Sequence, residues 1–264
     1  SPTDALVAAC GIKFSGPFEF LAHKDGLLPA GGDAPGRPPL AVRSRFFYDP
    51  PEVLALATFV GQYPRHWGYF RDEPSQLPLF VVNSDSKRGA TFTLWADTLF
   101  SAVSKLLNTE PRDPAARDAA LTALKAAAAS HSHKTYAGAR CKARRSNQVA
   151  TTLSGLGIVV PYDPKTDVGY RPLPYTKPQL RALLQRCVEG HEGSRSKLLE
   201  TSSFAHIAND EMDFGQGLEL GLDLWCFSHK LTRLAGEHLS IAYTLLSREA
   251  FNDVLTAHNH DRDK

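Results

Sequence analysis

Phe92-Thr93-Leu94-Trp95-Ala96-Asp97-Thr98-Leu99-Phe100-Ser101-Ala102-Val103-Ser104-Lys105-Leu106-Leu107 carries the change of period that decides the fold class. Phe92-Thr93-Leu94 reads as a strand. From about Ala96 onward Leu99, Phe100, Val103, Leu106 and Leu107 fall at helical spacing. Upstream, residues 11–100 read mostly as strand and turn. Strands are expected at Ile12-Lys13-Phe14, over 41–48, at Trp67-Gly68-Tyr69-Phe70 and at Leu79-Phe80-Val81-Val82. Asp49-Pro50-Pro51 ends the second of these, and Asp72-Glu73-Pro74 turns the chain between the last two. The Gly- and Pro-rich stretch 28–39 is expected to be a mobile loop.

Downstream the signals are helical. The Ala-rich stretch 115–129 is a strong helix former. Residues 130–152 are polar and basic and are expected to be a loop or weakly ordered. Gly157-Ile158-Val159-Val160 reads as a short buried strand. Thr176-Lys177-Pro178-Gln179 has the form of a capping box, and behind it Leu180, Leu183, Leu184, Cys187 and Val188 share one face. Further helices are expected over 231–247 and from 250 to about 257. The pattern is α+β, with a strand-rich N-terminal half and a predominantly helical C-terminal half. The boundary falls between 95 and 115, which divides the chain into a strand-rich domain over 1–105 and a mainly helical one over 106–264.

Composition narrows the function classes. The chain has 264 residues, of which 42% are hydrophobic, as in ordinary globular proteins. No apolar run approaches the ~20 residues of a membrane span, so no membrane association is expected. No signal-peptide pattern opens the chain. Cys10, Cys141, Cys187 and Cys226 lie far apart, which suits a reduced cytosolic or nuclear compartment. Cys226-x-x-His229, His131-x-His133 and His258-x-His260 lack a second pair at structural-zinc spacing, so no metal site is expected. There is no Gly-rich phosphate loop and no Gly-x-Ser-x-Gly elbow. Self-contained nucleotide or nucleophile chemistry is unsupported.

The net charge of +2 hides a dipole. Residues 119–162 contain no acid and carry Lys125, Lys134, Arg140, Lys142, Arg144 and Arg145. Residues 198–229 contain no Lys or Arg and carry Glu200, Asp210, Glu211, Asp213, Glu219 and Asp223, interleaved with Phe204, Ile207, Met212, Leu218, Leu220 and Leu224. Such apolar density belongs to a folded element, and a carboxylate placed beside a core can accept a proton or a cation. Two readings stand for Asp210, Glu211 and Asp213. They are a solvated helix start, where acids are favoured, or one of the adjacent pair faces outward as a single base. A second unit is Asp167-Val168-Gly169-Tyr170-Arg171-Pro172-Leu173-Pro174. Gly169 permits a sharp turn that presents an aromatic ring and a guanidinium together. Arg171 either holds a carboxylate bidentately or makes an ordinary structural salt bridge.

These two units, in this order, resemble the histone PARylation factor family. The resemblance spans most of the chain. It rests on Gly16-Pro17-Phe18, Arg45-Phe46-Phe47-Tyr48-Asp49-Pro50-Pro51-Glu52, Gly68-Tyr69-Phe70-Arg71-Asp72-Glu73-Pro74, Asp167-Val168-Gly169-Tyr170-Arg171, Ala208-Asn209-Asp210-Glu211, Asp213-Phe214-Gly215, Gly217-Leu218-Glu219-Leu220-Gly221 and Leu234-Ala235-Gly236. Stretches 28–39 and 115–129 depart from the animal members, and the chain begins without most of the family's N-terminal extension.

The resemblance implies a factor that binds the catalytic domain of a DNA-break-activated poly(ADP-ribose) polymerase. Such a factor completes the polymerase active site and directs ADP-ribosylation to serine, notably on histones, at sites of DNA damage in the nucleus. It implies that Glu211 is the base for the acceptor serine. Tyr170, Arg171, Asp210 and Asp213 then belong to the joint site or its contact surface, and Arg233, aligned across a one-residue gap, contacts the polymerase. No cofactor of its own is expected, because NAD is held by the partner. The basic run 134–145 is expected to add at most a weak contact with nucleosomal DNA. Two alternatives remain, a binding-only chromatin adaptor and an independent hydrolase using Glu211 with Asp213.

Overall fold

In a computed structural model the described residues are 2–24, 42–84, 89–111, 113–130 and 139–262. Five antiparallel strands, β1 (Ile12–Phe14), β2 (Val53–Phe59), β3 (His66–Phe70), β4 (Phe80–Ser84) and β5 (Phe92–Ala96), form one sheet in chain order. The register aligns Val53 with Phe70 and Phe70 with Phe80 on one face, and Tyr69 with Val81 and Val81 with Ala96 on the other.

Both faces are covered. On one, Ile12, Leu56, Phe59, Trp67 and Val81 pack with Val103, Leu106, Leu107 and Ala120. These come from α3 (Leu99–Thr109) and α4 (Pro114–Ser130), with α1 (Pro2–Cys10) alongside; α2 (Pro17–Lys24) follows β1. On the other, Val53, Phe70, Phe80, Val82 and Phe92 pack with Leu218, Leu220, Trp225, Leu239 and Tyr243 of the C-terminal helices. The α+β expectation therefore holds, with strands confined to the first half and helices dominating the second. Residue 105 falls inside α3.

Burial on both faces explains why β2 lacks the period-two pattern of a half-exposed strand. All its residues are buried or half-buried, and a register shift between Ala55 and Ala57 breaks what alternation remains.

The C-terminal helices are α6 (Lys177–Val188), α7 (Glu192–Asp210), α8 (Phe214–Phe227), α9 (Thr232–Leu245) and α10 (Glu249–Arg262), with a 3-10 turn at His229–Leu231. Gln179 reaches back to the N–H of Thr176 at 2.9 Å, as the capping box requires. α8 is buried on every side from Gly215 to Cys226, and α7 and α9 flank it. At Gly221 a Cβ would lie 2.8 Å from Leu239 Cγ, so α9 can approach this closely only because position 221 has no side chain.

Three local expectations are corrected. Within 41–48, residues 42–44 and 47–48 are turns, and residue 41 lies outside the described residues. Asp49 accepts the Phe46 N–H at 3.3 Å, and Arg45 donates to the carbonyls of Pro50 and Pro51 at 3.0 and 3.2 Å, so local side-chain bonds replace a ladder. Over 157–160 only Ile158 pairs, as an isolated bridge to Ala150. Within 130–152, residues 139–147 form α5 (Ala139–Asn147). The buried Asp97 accepts the Arg140 N–H at 2.9 Å at its N-terminus, and Arg144 binds both oxygens of Asp72 at 2.7 Å. Both partners lie more than 40 residues away, so no local pattern announces the helix. The expected loop 28–39 and Lys134 lie outside the described residues.

Candidate functional site

α7 ends and α8 begins across a three-residue connection, Glu211-Met212-Asp213. The Glu211 N–H donates to the carbonyl of Ala208 at 3.1 Å, and the Asp213 N–H donates to the same carbonyl at 2.8 Å. Met212 between them adopts a left-handed φ of 67°. Asp210 is the last residue of α7, Glu211 its C-cap, and Asp213 the N-cap of α8. The helix-start reading is thereby corrected for Asp210 and Glu211. They sit at the negative end of the α7 dipole, and the last turn of α7 holds no basic residue. The compensating charge for Glu211 comes from elsewhere in the chain.

That charge is Arg171. Its Nη2 bonds Glu211 Oε2 and lies 3.0 Å from Asp213 Oδ2. The hydrogen bond to Glu211, with the charges of Glu211 and Asp213, holds the guanidinium above its ordinary pKa. Arg171 and Glu211 are about half exposed, with side-chain exposures of 47% and 52%, whereas Asp213 is at 6%. Asp213 also accepts the Gly169 N–H at 2.9 Å, and the Gly215 N–H donates to the Gly169 carbonyl at 3.0 Å. Gly169 has a φ of 112°, and a Cβ there would lie 2.0 Å from the Pro161 carbonyl oxygen. Only glycine fits this turn, and the turn is what delivers Tyr170 and Arg171 to α8.

Tyr170 is half-buried and donates its hydroxyl to Glu219 Oε2 at 2.8 Å. Glu219 Oε1 bonds Lys177 Nζ, which also lies 2.8 Å from Asp223 Oδ2. Asp223 Oδ1 accepts the Leu153 N–H at 2.6 Å. Burial pushes the Asp223 carboxyl up to about 6 against the pull of Lys177. Burial would lower Lys177, but Asp223 and Glu219 outweigh it and its pKa is raised. Burial, then Glu219, raises that of Tyr170.

Five of the six site residues fall in this region: Glu211, Asp213 and Arg171 in one ion cluster, Asp210 exposed beside it, and Tyr170 in the adjoining network. Arg233, the second residue of α9, is outside the cluster; it is 93% exposed and pairs with Glu237 at 3.1 Å. Leu218, Leu220 and Leu224 are buried, as a helix anchoring this turn requires. Sequence reasoning missed Lys177. The signal was available, because Glu219 and Asp223 stand one turn apart in a largely apolar helix that holds no Lys or Arg, and two buried carboxylates require a cation.

Close in sequence to the carboxylates stand Phe204, Ile207 and Met212, each about half exposed. Ile207 is one turn before Glu211, so apolar side chains and the carboxylate share a face. The arrangement offers a single outward carboxylate on an apolar rim. Glu211 and Asp213 meet the same guanidinium nitrogen and do not face each other across a gap, which is what a two-carboxylate hydrolase needs. Among the described residues no three His, Cys, Asp or Glu side chains cluster as metal ligands, and no helix is long and apolar enough to cross a membrane.

A family model described as histone PARylation factor 1 matches residues 1–262. The chain is 34% identical over 279 residues to histone PARylation factor 1 of Bos taurus, covering all of this chain and 78% of that protein. It is 32% identical over 281 residues to the Mus musculus protein of the same name, at the same coverage. Against the Danio rerio protein it is 33% identical over 276 residues, covering 77% of that protein. The chain belongs to the histone PARylation factor 1 family.

Proposed function

We propose that the chain is a nuclear accessory factor that docks on the catalytic domain of a DNA-break-activated poly(ADP-ribose) polymerase and lends it Glu211. The observation that carries this reading is the exposed, arginine-anchored Glu211 on a turn rimmed by Phe204, Ile207 and Met212. Exposed apolar side chains beside a fixed charge suit a protein interface. The partner holds NAD, and this chain has no cofactor of its own.

The reaction is attack by a serine hydroxyl of a histone on C1′ of the nicotinamide ribose. The oxygen–C1′ bond forms, the C1′–nitrogen bond breaks, and nicotinamide leaves with the electron pair as a neutral molecule. Glu211 takes the hydroxyl proton, and its other oxygen stays on Arg171. A positioned base is worth about 10²–10⁴-fold. Lending one charged group in trans is the economy of an arginine finger. Asp210 and the apolar rim form the contact surface with Arg171, while Asp213 and Tyr170 fix the Arg171 segment. Arg233 meets the polymerase at a separate point. Exposed Arg140, Lys142 and Arg145 on α5 add a weak, salt-sensitive contact with nucleosomal DNA.

One observation favours a binding-only adaptor, which is that Arg171 already occupies the Glu211 carboxylate. Glu211→Gln separates the two readings. With saturating protein, polymerase catalytic domain, NAD and a histone peptide, serine modification should fall by about 10²–10⁴-fold while polymerase binding persists. Near-full modification by the Gln variant would make the protein an adaptor.

A further inference from the structure

We propose that Lys177 is a positioning residue for the carboxylate site, acting through Glu219 and Tyr170 on the segment that aims Glu211. The inference rests on the reading of Glu211 as a lent base and names a residue outside that machinery.

The geometry starts from an unfavourable placement. Glu219 and Asp223 are 3% and 0% exposed and one turn apart on α8. Two buried like charges repel each other and both lose hydration. Lys177, at the first residue of α6, sends Nζ to one oxygen of each. The two remaining oxygens are also used, Glu219 Oε2 by the Tyr170 hydroxyl and Asp223 Oδ1 by the Leu153 N–H. All four carboxylate oxygens are therefore satisfied, and a fully satisfied buried network is rigid.

Tyr170 gains a fixed hydroxyl end from this network. Its ring packs at the Gly215 backbone, where a Cβ would lie 3.0 Å from Tyr170 Cδ2. On either side the chain is also pinned, Gly169 by Asp213 and the Pro172 carbonyl by Gln216 Nε2 at 3.0 Å. Arg171 lies between these anchors and clamps Glu211. Without Lys177, Glu219 becomes an unpaired buried anion or takes up a proton. Either change alters its bond to the Tyr170 hydroxyl and loosens the side of the segment next to Arg171. Lys177 bonds Glu219 and Asp223, not Glu211, so its influence on a rate is positional.

The test uses the full chain with a poly(ADP-ribose) polymerase catalytic domain, NAD and a histone peptide, and separates kcat from polymerase affinity. Lys177→Met should lower kcat for serine modification by about 10- to 100-fold, the range for a misplaced group. Polymerase affinity should change less than three-fold. Unchanged kcat at saturating folded protein overturns the proposal. If Lys177→Met does not fold, the neutral variant Lys177→Met/Glu219→Gln/Asp223→Asn decides. It removes the buried charge imbalance, and it should melt near wild type yet keep a kcat several-fold down, because the tyrosine loses its ionic acceptor. Full kcat in that variant overturns the proposal. Glu211→Gln run alongside separates the two ideas. If it stays active, the lent-base reading has failed; if it is inactive while the Lys177 variants keep full kcat, only the role of Lys177 has failed.

Discussion

The acids of residues 210–223 divide between two environments. Asp213, Glu219 and Asp223 are 4%, 3% and 0% exposed, and each is bonded to a cation and to a backbone N–H or a tyrosine hydroxyl. Asp210 and Glu211 are exposed at the end of α7, with Glu211 held by a half-exposed arginine. The first set has its oxygens committed to holding the 153 and 169–177 segments against α8. The second set has oxygens left to offer a partner. Carboxylates close in sequence thus take opposite roles according to which helix they belong to. On α8, from its N-cap Asp213 onward, each charge is buried and paired, whereas at the exposed end of α7 Asp210 and Glu211 stay wet.

The sharpest way to break this division is a pair of substitutions read on two scales. Glu211→Gln should cut serine modification by about 10²–10⁴-fold and leave the melting temperature almost unmoved. Asp223→Ala should do the reverse in kind. It leaves the Leu153 N–H unsatisfied and Lys177 with one partner, and should cost about 3–5 kcal/mol of stability in denaturant unfolding. If Asp223→Ala unfolds like wild type, the buried set is not structural.

Gly169→Ala comes next. The new Cβ would meet the Pro161 carbonyl, and the φ of 112° disfavours any side chain. The cost should be about 1–3 kcal/mol, with activity lost further because the Arg171 segment shifts from Glu211. Hydrogen exchange should show the Gly169 amide losing protection. Unchanged protection there would mean the loop tolerates the methyl group, and Asp213 does not fix it.

A smaller effect concerns pH. Burial raises the Asp223 carboxyl from 3.8 in the unfolded chain to about 6 in the fold. Between those values the folded protein binds the extra proton, so stability from this group is greatest at low pH and declines as pH rises toward 6. Asp223→Asn should remove that decline, seen as a wild-type-minus-variant stability difference that slopes between about pH 4 and 6. A flat difference would mean Asp223 titrates like an exposed acid. Arg233→Ala should have the smallest intrinsic effect. Its one pair is an exposed i,i+4 contact worth about 0.3–0.5 kcal/mol, so any loss of polymerase affinity measured by calorimetry reports a direct contact. Unchanged affinity removes Arg233 from the interface.

Local patterns were enough for the switch at residues 92–107, for the helices beginning at 99, 114, 177, 232 and 249, and for Gly169 as a turn. Each depends on neighbours within a few positions, such as Thr98 with Ser101 or Thr176 with Gln179. The Tyr170-Arg171 presentation was legible for the same reason, whereas local pattern left open which of Asp210 and Glu211 faces outward and only the family resemblance singled out Glu211. What the sequence could not decide is solvation and long-range pairing. β2 lost its period because helices cover both sheet faces, and α5 is a helix because Asp97 and Asp72 meet it from afar. The acid types at 210, 211, 213, 219 and 223 are written in the chain. The pairing of the last four was settled by Arg171 and Lys177, which lie 40 to 46 residues from the acids they hold. A carboxylate's identity is covalent, whereas its hydration and its counter-charge exist only once distant segments have packed around it.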